Sequence, residues 1–212
     1  MTGTRERFIA STVELFRRQG YNGTSLSQVT EAAGAPTGSL YHHFKGGKDE
    51  LTAAVLEESG TAYGQLLEAI WDAEPDPVAA VSAFFEGAAV VLEESDFIDP
   101  CPIGTVAREV ASTNDALRQA ALGAFQEWSA AVRVRLITAG IGPAEADELS
   151  VALVAAIEGG FVLGRTARDA DLLRATGRRM ATMLRAELDG VTAPAQPNEA
   201  ASMAHASGRT AG

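Results

Sequence analysis

The most informative run of residues in this chain is Gly34-Ala35-Pro36-Thr37-Gly38-Ser39-Leu40-Tyr41-His42-His43-Phe44. Pro36 presets the backbone of a first helical turn and has no N–H to donate, which suits the start of a helix. Leu40 and Phe44 are four residues apart and form the buried side of that helix. Because so short a helix is unstable alone, other elements must hold it. The small polar residues at its tip predict a helix that is presented to a nucleic-acid groove.

The residues before this run supply the supporting elements. Apolar side chains recur at helical spacing over residues 8–16, and Gly20 ends that first helix as a C′ glycine does. Ser25 and Gln28 fit a capping box, so we expect a second helix over residues 26–33. A helix, a capped short helix, a glycine turn and another short helix form the helix-turn-helix arrangement, which positions a recognition helix in a major groove.

The same region resembles a known family. The residues that carry the resemblance are Gly20-Tyr21, Thr24-Ser25, Val29, Ala32-Ala33-Gly34, Gly38-Ser39-Leu40-Tyr41-His42-His43-Phe44 and Lys48-Asp49-Glu50-Leu51. Together they resemble the tetracycline-repressor (TetR) family of one-component regulators. The Leu-Tyr-His-His-Phe run with its following Gly-Gly-Lys is similar to the LmrA-like branch, and Cys101-Pro102-Ile103-Gly104 is similar to the ligand domain of that branch.

The expected fold class is all-α, with an N-terminal three-helix helix-turn-helix DNA-binding domain over residues 1–47. A C-terminal helical ligand-binding and dimerisation domain follows over residues 48–190, and no strand-like alternation persists anywhere. Residues 191–212, rich in Ala, Pro, Ser and Gly, are predicted to be a disordered tail. The apolar pattern of the second domain predicts a long helix from Lys48, a helix from about Pro77, a short helix over 104–112, a longer one ending near Gly140, and two more over 143–168 and 169–188.

The candidate DNA contacts are polar or bare residues around the recognition helix. They are Thr24, Ser25, Thr37, Gly38, Ser39, Tyr41, His42, Lys45 and Lys48. Thr37, Gly38 and Ser39 should lie nearest the base edges, while Lys48 and the start of its helix should bind phosphate. Such short side chains give weak direct readout, so part of the specificity is expected to come from DNA shape. In the TetR family the position of Thr37 is often basic, and in the LmrA-like branch the position of Lys45 is often proline. Because of these two differences, the resemblance does not predict the operator sequence or the affinity for it.

The charge distribution restricts DNA contact to the first domain. The whole chain has a formal net charge of −11, but residues 1–50 contain six Lys or Arg and five Asp or Glu, for a charge of +1. Both lysines of the chain, Lys45 and Lys48, flank the recognition element. The remainder is acidic and would be repelled by phosphate, and the thin positive surplus predicts modest non-specific affinity.

Large aromatic residues in the predicted C-terminal helices favour an apolar cavity with few polar anchors. The candidate ligand contacts are Phe84, Phe85, Ile103, Glu109, Phe125, Trp128, Glu158 and Phe161. Ordinary core packing would explain the aromatic residues equally well, and Glu158 fits a dimer interface as well as a ligand site. The family resemblance implies an amphipathic small-molecule effector held among these helices.

The last two helices favour a homodimer. Residues 151–163 are apolar on nearly every face apart from Glu158, so burial of one face leaves another that needs a cover. Gly160 and Gly164 would let a neighbouring backbone approach closely. A twofold interface would also give DNA recognition its two half-sites, whereas the alternative is a buried central helix in a monomer.

Neither an enzyme nor a cofactor or metal site is indicated. Histidines occur only at 42, 43 and 205, and no nucleophile elbow, phosphate loop or dinucleotide fingerprint is present. The adjacent histidines point to different sides of a helix and make a poor metal pair, and His43 fits helix packing as well as DNA contact. The single Cys101 excludes an intrachain disulfide framework and fits loop packing better than redox sensing. Because the chain starts without a signal peptide and its longest apolar run is too short to span a bilayer, we expect a cytoplasmic protein with no membrane partner.

These features predict a ligand-responsive, DNA-binding transcriptional regulator. The favoured form is a repressor that binds a palindromic operator as a dimer and is released by a small amphipathic molecule. A transcriptional activator is the other possibility, because the position of the operator relative to a promoter determines whether binding represses or activates transcription. The alternative function is a helical small-molecule-binding or interaction protein without operator-specific DNA binding.

Overall fold

The computed structural model describes residues 3–98 and 101–192 of the chain. Over these residues it contains α-helices and no strand, which confirms the all-α class. The helices are α1 (Thr4–Gln19), α2 (Leu26–Ala32), α3 (Thr37–His43), α4 (Lys48–Ala73), α5 (Pro77–Glu94), α6 (Pro102–Val110), α7 (Asp115–Thr138), α8 (Pro143–Ala167) and α9 (Asp171–Thr192). The predicted tail lies outside the described residues, except that α9 extends two residues into it.

Helices α1, α2 and α3 form the N-terminal head, and their ends follow the expected local chemistry. Gly20 ends α1 with a φ of 75°, a conformation that favours glycine. Ser25 and Gln28 form the predicted capping box at the start of α2. Pro36 is the N-cap residue of α3, just outside the first turn. Phe8 packs edge-on against Phe44, with 6.4 Å between ring centroids.

The long helix α4 leaves the head and enters the second domain, where it packs mainly against α7. The two helices approach closely because small residues meet, and a Cβ built on Gly60 would lie 3.0 Å from Cβ of Ala124. Beside this contact the indole N–H of Trp128 donates a hydrogen bond of 2.9 Å to the Gly60 carbonyl. The second domain is completed by α8, which packs on α7, and by α9, which packs on α5 and α8.

Helices α5 and α9 meet along a tight seam. A Cβ on Gly177 would lie 2.4 Å from Cβ of Phe85, so only a glycine fits at that position without movement of the backbone. At the solvent edge of the seam, Arg174 contacts Glu86 and Glu93, each at 2.9 Å. Such exposed ion pairs add little stability, so the buried contact is the stronger determinant of the seam.

Gly160 and Gly164 of α8 face the inside of the same chain. A Cβ on Gly160 would lie 2.9 Å from Leu173, and one on Gly164 would lie 2.9 Å from Leu92. Their close neighbours are therefore α9 and α5, and these glycines give no support to contact with a second copy. Within the described residues, no helix combines the length and hydropathy needed to cross a membrane.

Candidate functional site

The exposed surface of α3 is the first candidate site. Thr37, Gly38 and His42 are exposed, and 49% of Tyr41 is accessible to solvent. Ser39 is half-buried, and Lys45 is exposed just after the helix. The opposite side of α3 is anchored by buried Leu40, with buried Phe44 immediately after the helix. Packing thus holds the helix by its apolar side and leaves the predicted contact residues on an open face.

Gly38 has no intramolecular reason to be glycine. A Cβ built there would meet no atom within 4 Å in the part of the chain that the structure describes. Its backbone is not among the glycines with positive φ, so a side chain would not be strained. Since glycine lowers helix stability relative to alanine, an external surface that approaches α3 closely would explain this residue.

Two predicted contacts at the start of α2 have structural roles. Thr24 is buried, and its hydroxyl donates a 2.7 Å hydrogen bond to the Gly20 carbonyl. The prediction that Thr24 contacts DNA does not fit this position, because its buried side chain supports the turn between α1 and α2. Ser25 is exposed, and its hydroxyl oxygen accepts the 3.3 Å hydrogen bond from Gln28 that caps α2.

Lys48, at the start of α4, contacts Tyr21 of the head and lies near Glu109 of the second domain. Its Nζ lies 4.0 Å from the centroid of the Tyr21 ring, a cation–π geometry. Burial lowers the pKa of Lys48, whereas the nearby carboxylates of Glu109 and Asp49 act in the opposite direction. The more exposed Lys45 has greater freedom to reach a phosphate.

A group of polar residues, which we call the junction, joins the head to the second domain. Asp49, in the first turn of α4, accepts 2.6 Å and 2.8 Å hydrogen bonds from the Tyr21 hydroxyl and the Asn114 amide. Burial and the bond to Asp49 raise the pKa of Tyr21 to about 12. Nearby, the backbone N–H of Asn22 donates a 2.7 Å hydrogen bond to Glu109 of α6. The start of α4 is thereby tied to α7, and the α1–α2 turn to α6.

The junction corrects the interpretation of Glu109 as a ligand anchor. Its carboxylate reaches the α1–α2 turn, where a Cβ on Gly20 would lie 1.9 Å from Oε1 of Glu109. Asn114 is the N-cap residue of α7, and its bond to Asp49 joins residues 65 positions apart. No local pattern predicts such a pairing, so sequence reasoning missed the junction.

The predicted ligand contacts are distributed over several cavities. Phe84, Phe85 and Trp128 line a small cavity of about 30 Å³ between α4, α5, α7 and α8, which we call the core cavity. Phe161 and Phe84 line a groove of about 350 Å³ between α4 and α5, the α4–α5 groove. Phe125 and Glu158 line a wide, open groove of about 740 Å³ on α6, α7 and α8.

The predicted ligand contacts therefore do not all line one cavity. Ile103 is fully buried and lines none of these three cavities, so it is a core residue here. Glu158 and Phe125 line the wide groove, together with Arg108 and Arg133, and do not line the core cavity, although Phe125 packs edge-on against Trp128. The aromatic residues that come together are Phe84, Phe85 and Trp128.

Trp71 joins this aromatic group, although it was not among the predicted contacts. Its side chain lines the core cavity and is buried, with 6% exposed. Its Nε1 has no hydrogen-bond partner among the described residues, in contrast to that of Trp128. In the sequence the only signal was an indole in an apolar helix face, which is equally typical of core packing.

Comparison with known proteins agrees with both halves of the architecture. A family model described as "Bacterial regulatory proteins, tetR family" matches residues 8–55. A second model, "Transcriptional regulator LmrA/YxaF-like, C-terminal domain", matches residues 77–179. The HTH-type transcriptional regulator LmrA of Bacillus subtilis (strain 168) is 33% identical over 166 residues, which cover 78% of this chain and 88% of that protein. The uncharacterized HTH-type regulator YxaF of the same organism is also 33% identical over 166 residues, covering 78% of this chain and 87% of YxaF.

Solved structures share the fold. A TetR transcriptional regulator from Chloroflexus aurantiacus J-10-FL superimposes with a TM-score of 0.72 at 28% identity, covering 86% of this chain and 94% of that one. One from Legionella pneumophila gives a TM-score of 0.77 at 22% identity, covering 86% and 98% of the two chains. At the lower identity the likeness concerns the fold alone.

Proposed function

This chain belongs to the TetR family of bacterial transcriptional regulators, which are DNA-binding proteins and not enzymes, and from that premise we propose a specific mode of action. The protein is a repressor that binds a palindromic operator as a homodimer and leaves it when a small amphipathic molecule binds in the second domain. The observation that carries the DNA half of this proposal is the exposed face of α3 with the unexplained Gly38 at its tip.

The proposed contacts divide by their chemistry. Thr37, Gly38 and Ser39 approach the base edges, because they lie at the tip of α3, where short residues let a groove come close. Tyr41 and His42 contact the sugar-phosphate backbone, together with the exposed Lys45. Ser25 and Lys48, at the starts of α2 and α4, add phosphate contacts at helix N-termini.

The proposed dimer uses α8 and α9. Apolar residues of α8 are exposed, among them Leu163 at 59%, and Val151 at 61% and Val162 at 41%, which also line the wide groove. Leu172 of α9 adds a further 36% exposed apolar side chain. A second copy would cover this surface and set two recognition helices about 34–36 Å apart, as successive major grooves require.

Ligand control is proposed to act through α4. Its first turn contains Asp49 of the junction, and its last turns contain Trp71 of the core cavity. A ligand that prefers one orientation of α4 would change the spacing of the two heads. The operator affinity then falls by the ratio of the ligand's affinities for the two states.

The test is a mobility-shift titration with the DNA upstream of the protein's own gene. We expect a sequence-specific shift that the Tyr41→Ala, Lys45→Ala double variant loses, while its dimerisation and melting temperature stay unchanged. Arg118→Ala removes one positive charge from α7 as a control and should shift the same DNA normally. A double variant that binds as well as the wild type would refute the contact assignment. Failure of the wild type at low salt would favour the alternative without operator binding.

A further inference from the structure

We propose that the effector is a neutral, mostly apolar molecule that accepts one hydrogen bond from Nε1 of Trp71 and enters from the α4–α5 groove past Phe84. This inference rests on the proposed ligand response, and it adds the chemical class of the ligand and its polar contact. Four features support it: an unpartnered donor, an uncharged lining, a shared aromatic wall and a groove that is open next to it.

The unpartnered donor is the strongest of these features. Nε1 of Trp71 is buried and has no hydrogen-bond partner among the described residues. Buried N–H groups are rarely left without an acceptor, because desolvation then goes uncompensated. The second tryptophan serves as an internal comparison, since Nε1 of Trp128 donates to the Gly60 carbonyl. The core cavity next to Trp71 is therefore a site where an acceptor from outside the chain would stabilise the protein.

The lining of both spaces restricts that acceptor to an uncharged molecule. The core cavity is lined, besides its aromatic residues, by Leu67, Val81, Val132, Leu153, Val154 and Ile157. Among the residues that the structure describes, no charged side chain lines either the core cavity or the α4–α5 groove. A carboxylate or ammonium group would lose its hydration there without gaining a partner, which costs far more than burial of a carbonyl or ether oxygen.

Phe84 forms a wall shared by the two spaces. It lines both the core cavity and the α4–α5 groove and is half-buried, so part of its ring is free of the core. Gly87, three residues later on α5, also lines the groove, and a Cβ there would meet nothing within 4 Å. A change of the Phe84 rotamer towards this open space would join a cavity of about 30 Å³ to a groove of about 350 Å³. The joined volume falls within the range of small-molecule sites.

The probes that test this inference are three neutral aryl ketones of increasing length, acetophenone, 2-acetylnaphthalene and 4-acetylbiphenyl. Two comparison compounds are 2-isopropylnaphthalene, a hydrocarbon of similar shape, and the anion 2-naphthoate. The readout is the pair of indole N–H resonances in a ¹H–¹⁵N correlation spectrum, because the chain has only two tryptophans. Trp71→Phe and Trp128→Phe assign the two resonances by deleting one each.

We expect at least one ketone to move the Trp71 resonance further than the Trp128 resonance, because Trp128 also lines the core cavity but its N–H keeps the bond to the Gly60 carbonyl. In Trp71→Phe the Kd of that ketone should rise about five- to tenfold, as loss of one hydrogen bond predicts, and the Kd of the hydrocarbon should stay unchanged. The anion should not bind. If Trp71→Phe fails to fold, Phe84→Ala replaces it, and we expect that variant to bind the longest ketone more tightly than the wild type.

Several results would overturn the inference. One is that no ketone moves the Trp71 resonance at any concentration up to its solubility limit. Another is that a ketone and the anion bind with equal affinity. A third is that the Nε1 proton of Trp71 contacts only a bound water molecule and no ketone. Operator titrations in the same buffer separate this inference from the proposed function. A ketone that binds at Trp71 without releasing DNA leaves the site intact and refutes the proposed ligand response, whereas absence of any specific DNA shift refutes the repressor and leaves the Trp71 result standing.

Discussion

At the scale of single residues, Gly38 offers a test that separates folding from DNA binding. A Cβ there meets nothing in the protein, so Gly38→Ala should stabilise the fold by a few tenths to about 1 kcal/mol through helix propensity. The same methyl group should weaken operator binding if a DNA groove approaches this position. Urea unfolding gives the first quantity and a mobility-shift titration the second.

The matched control is Gly64→Ala on α4, where a Cβ also meets nothing within 4 Å. That variant should gain a similar stability and bind the operator as the wild type does. Equal operator affinity of Gly38→Ala and the wild type would mean that α3 does not approach DNA at this residue.

Tyr21 makes the stability of the junction dependent on pH. Burial and the bond to Asp49 raise its pKa from 10.0 to about 12 in the folded protein. The folded state therefore favours the protonated phenol, and this contribution is fully present below pH 10 and is lost as the pH rises from about 10 to about 12. Absorbance of the tyrosinate ion measures the pKa directly, and urea midpoints above and below this window measure the stability.

Tyr21→Phe is the control for this prediction. It should remove the high-pH transition from the absorbance titration and flatten the fall in stability relative to the wild type. A wild-type titration in which every tyrosine ionises near pH 10 would contradict the hydrogen bond to Asp49.

At the scale of helices, the seam between α5 and α9 depends on the absence of a side chain at Gly177. In Gly177→Ala the new Cβ would lie 2.4 Å from Cβ of Phe85, an atom too close to the backbone to move cheaply. We expect a loss of about 1–3 kcal/mol in the free energy of unfolding, as in other overpacked cores. Gly190→Ala on the same helix meets nothing and should be neutral or slightly stabilising. Chemical denaturation of the two variants side by side measures both, and equal stabilities would show that the seam is looser than described.

Local chemistry explains which elements could be predicted from the sequence. Gly20 and the Ser25–Gln28 capping box each act within a few residues, so the helix ends that they set were predicted. The packing partners of the helices were not predicted, because the contacts of Gly160 with Leu173 and of Asn114 with Asp49 depend on how distant segments meet.

The candidate site could be predicted only in part, for the same reason. Phe84, Phe85 and Trp128 were predicted as ligand contacts because they are large and aromatic, and they line one cavity, but the unpartnered N–H of Trp71 is visible only when its surroundings are known.

At the scale of the whole molecule, the charge asymmetry and the proposed dimer together determine how operator binding should respond to mutation. Residues 1–50 contain six Lys or Arg and five Asp or Glu, a net charge of only +1, so a single head should bind DNA weakly. Two heads held by one interface bind with the benefit of a high effective concentration. Loss of the interface should therefore abolish operator binding without any change in α3.

Leu163→Glu tests this coupling. Leu163 is 59% exposed on the outer side of α8, and a buried carboxylate in the proposed interface would be unpaired. We expect the variant to sediment as a monomer, to keep the helical content of the wild type, and to lose the specific operator shift at protein concentrations where the wild type is fully bound.

Val134→Glu on α7 is the matched control, because Val134 is 58% exposed and the variant also replaces an exposed apolar residue by glutamate. The control should remain a DNA-binding dimer, since α7 lies outside the proposed interface. Dimerisation of Leu163→Glu at wild-type affinity would place the interface elsewhere, and a monomeric Val134→Glu would extend the interface from α8 onto the Val134 side of α7.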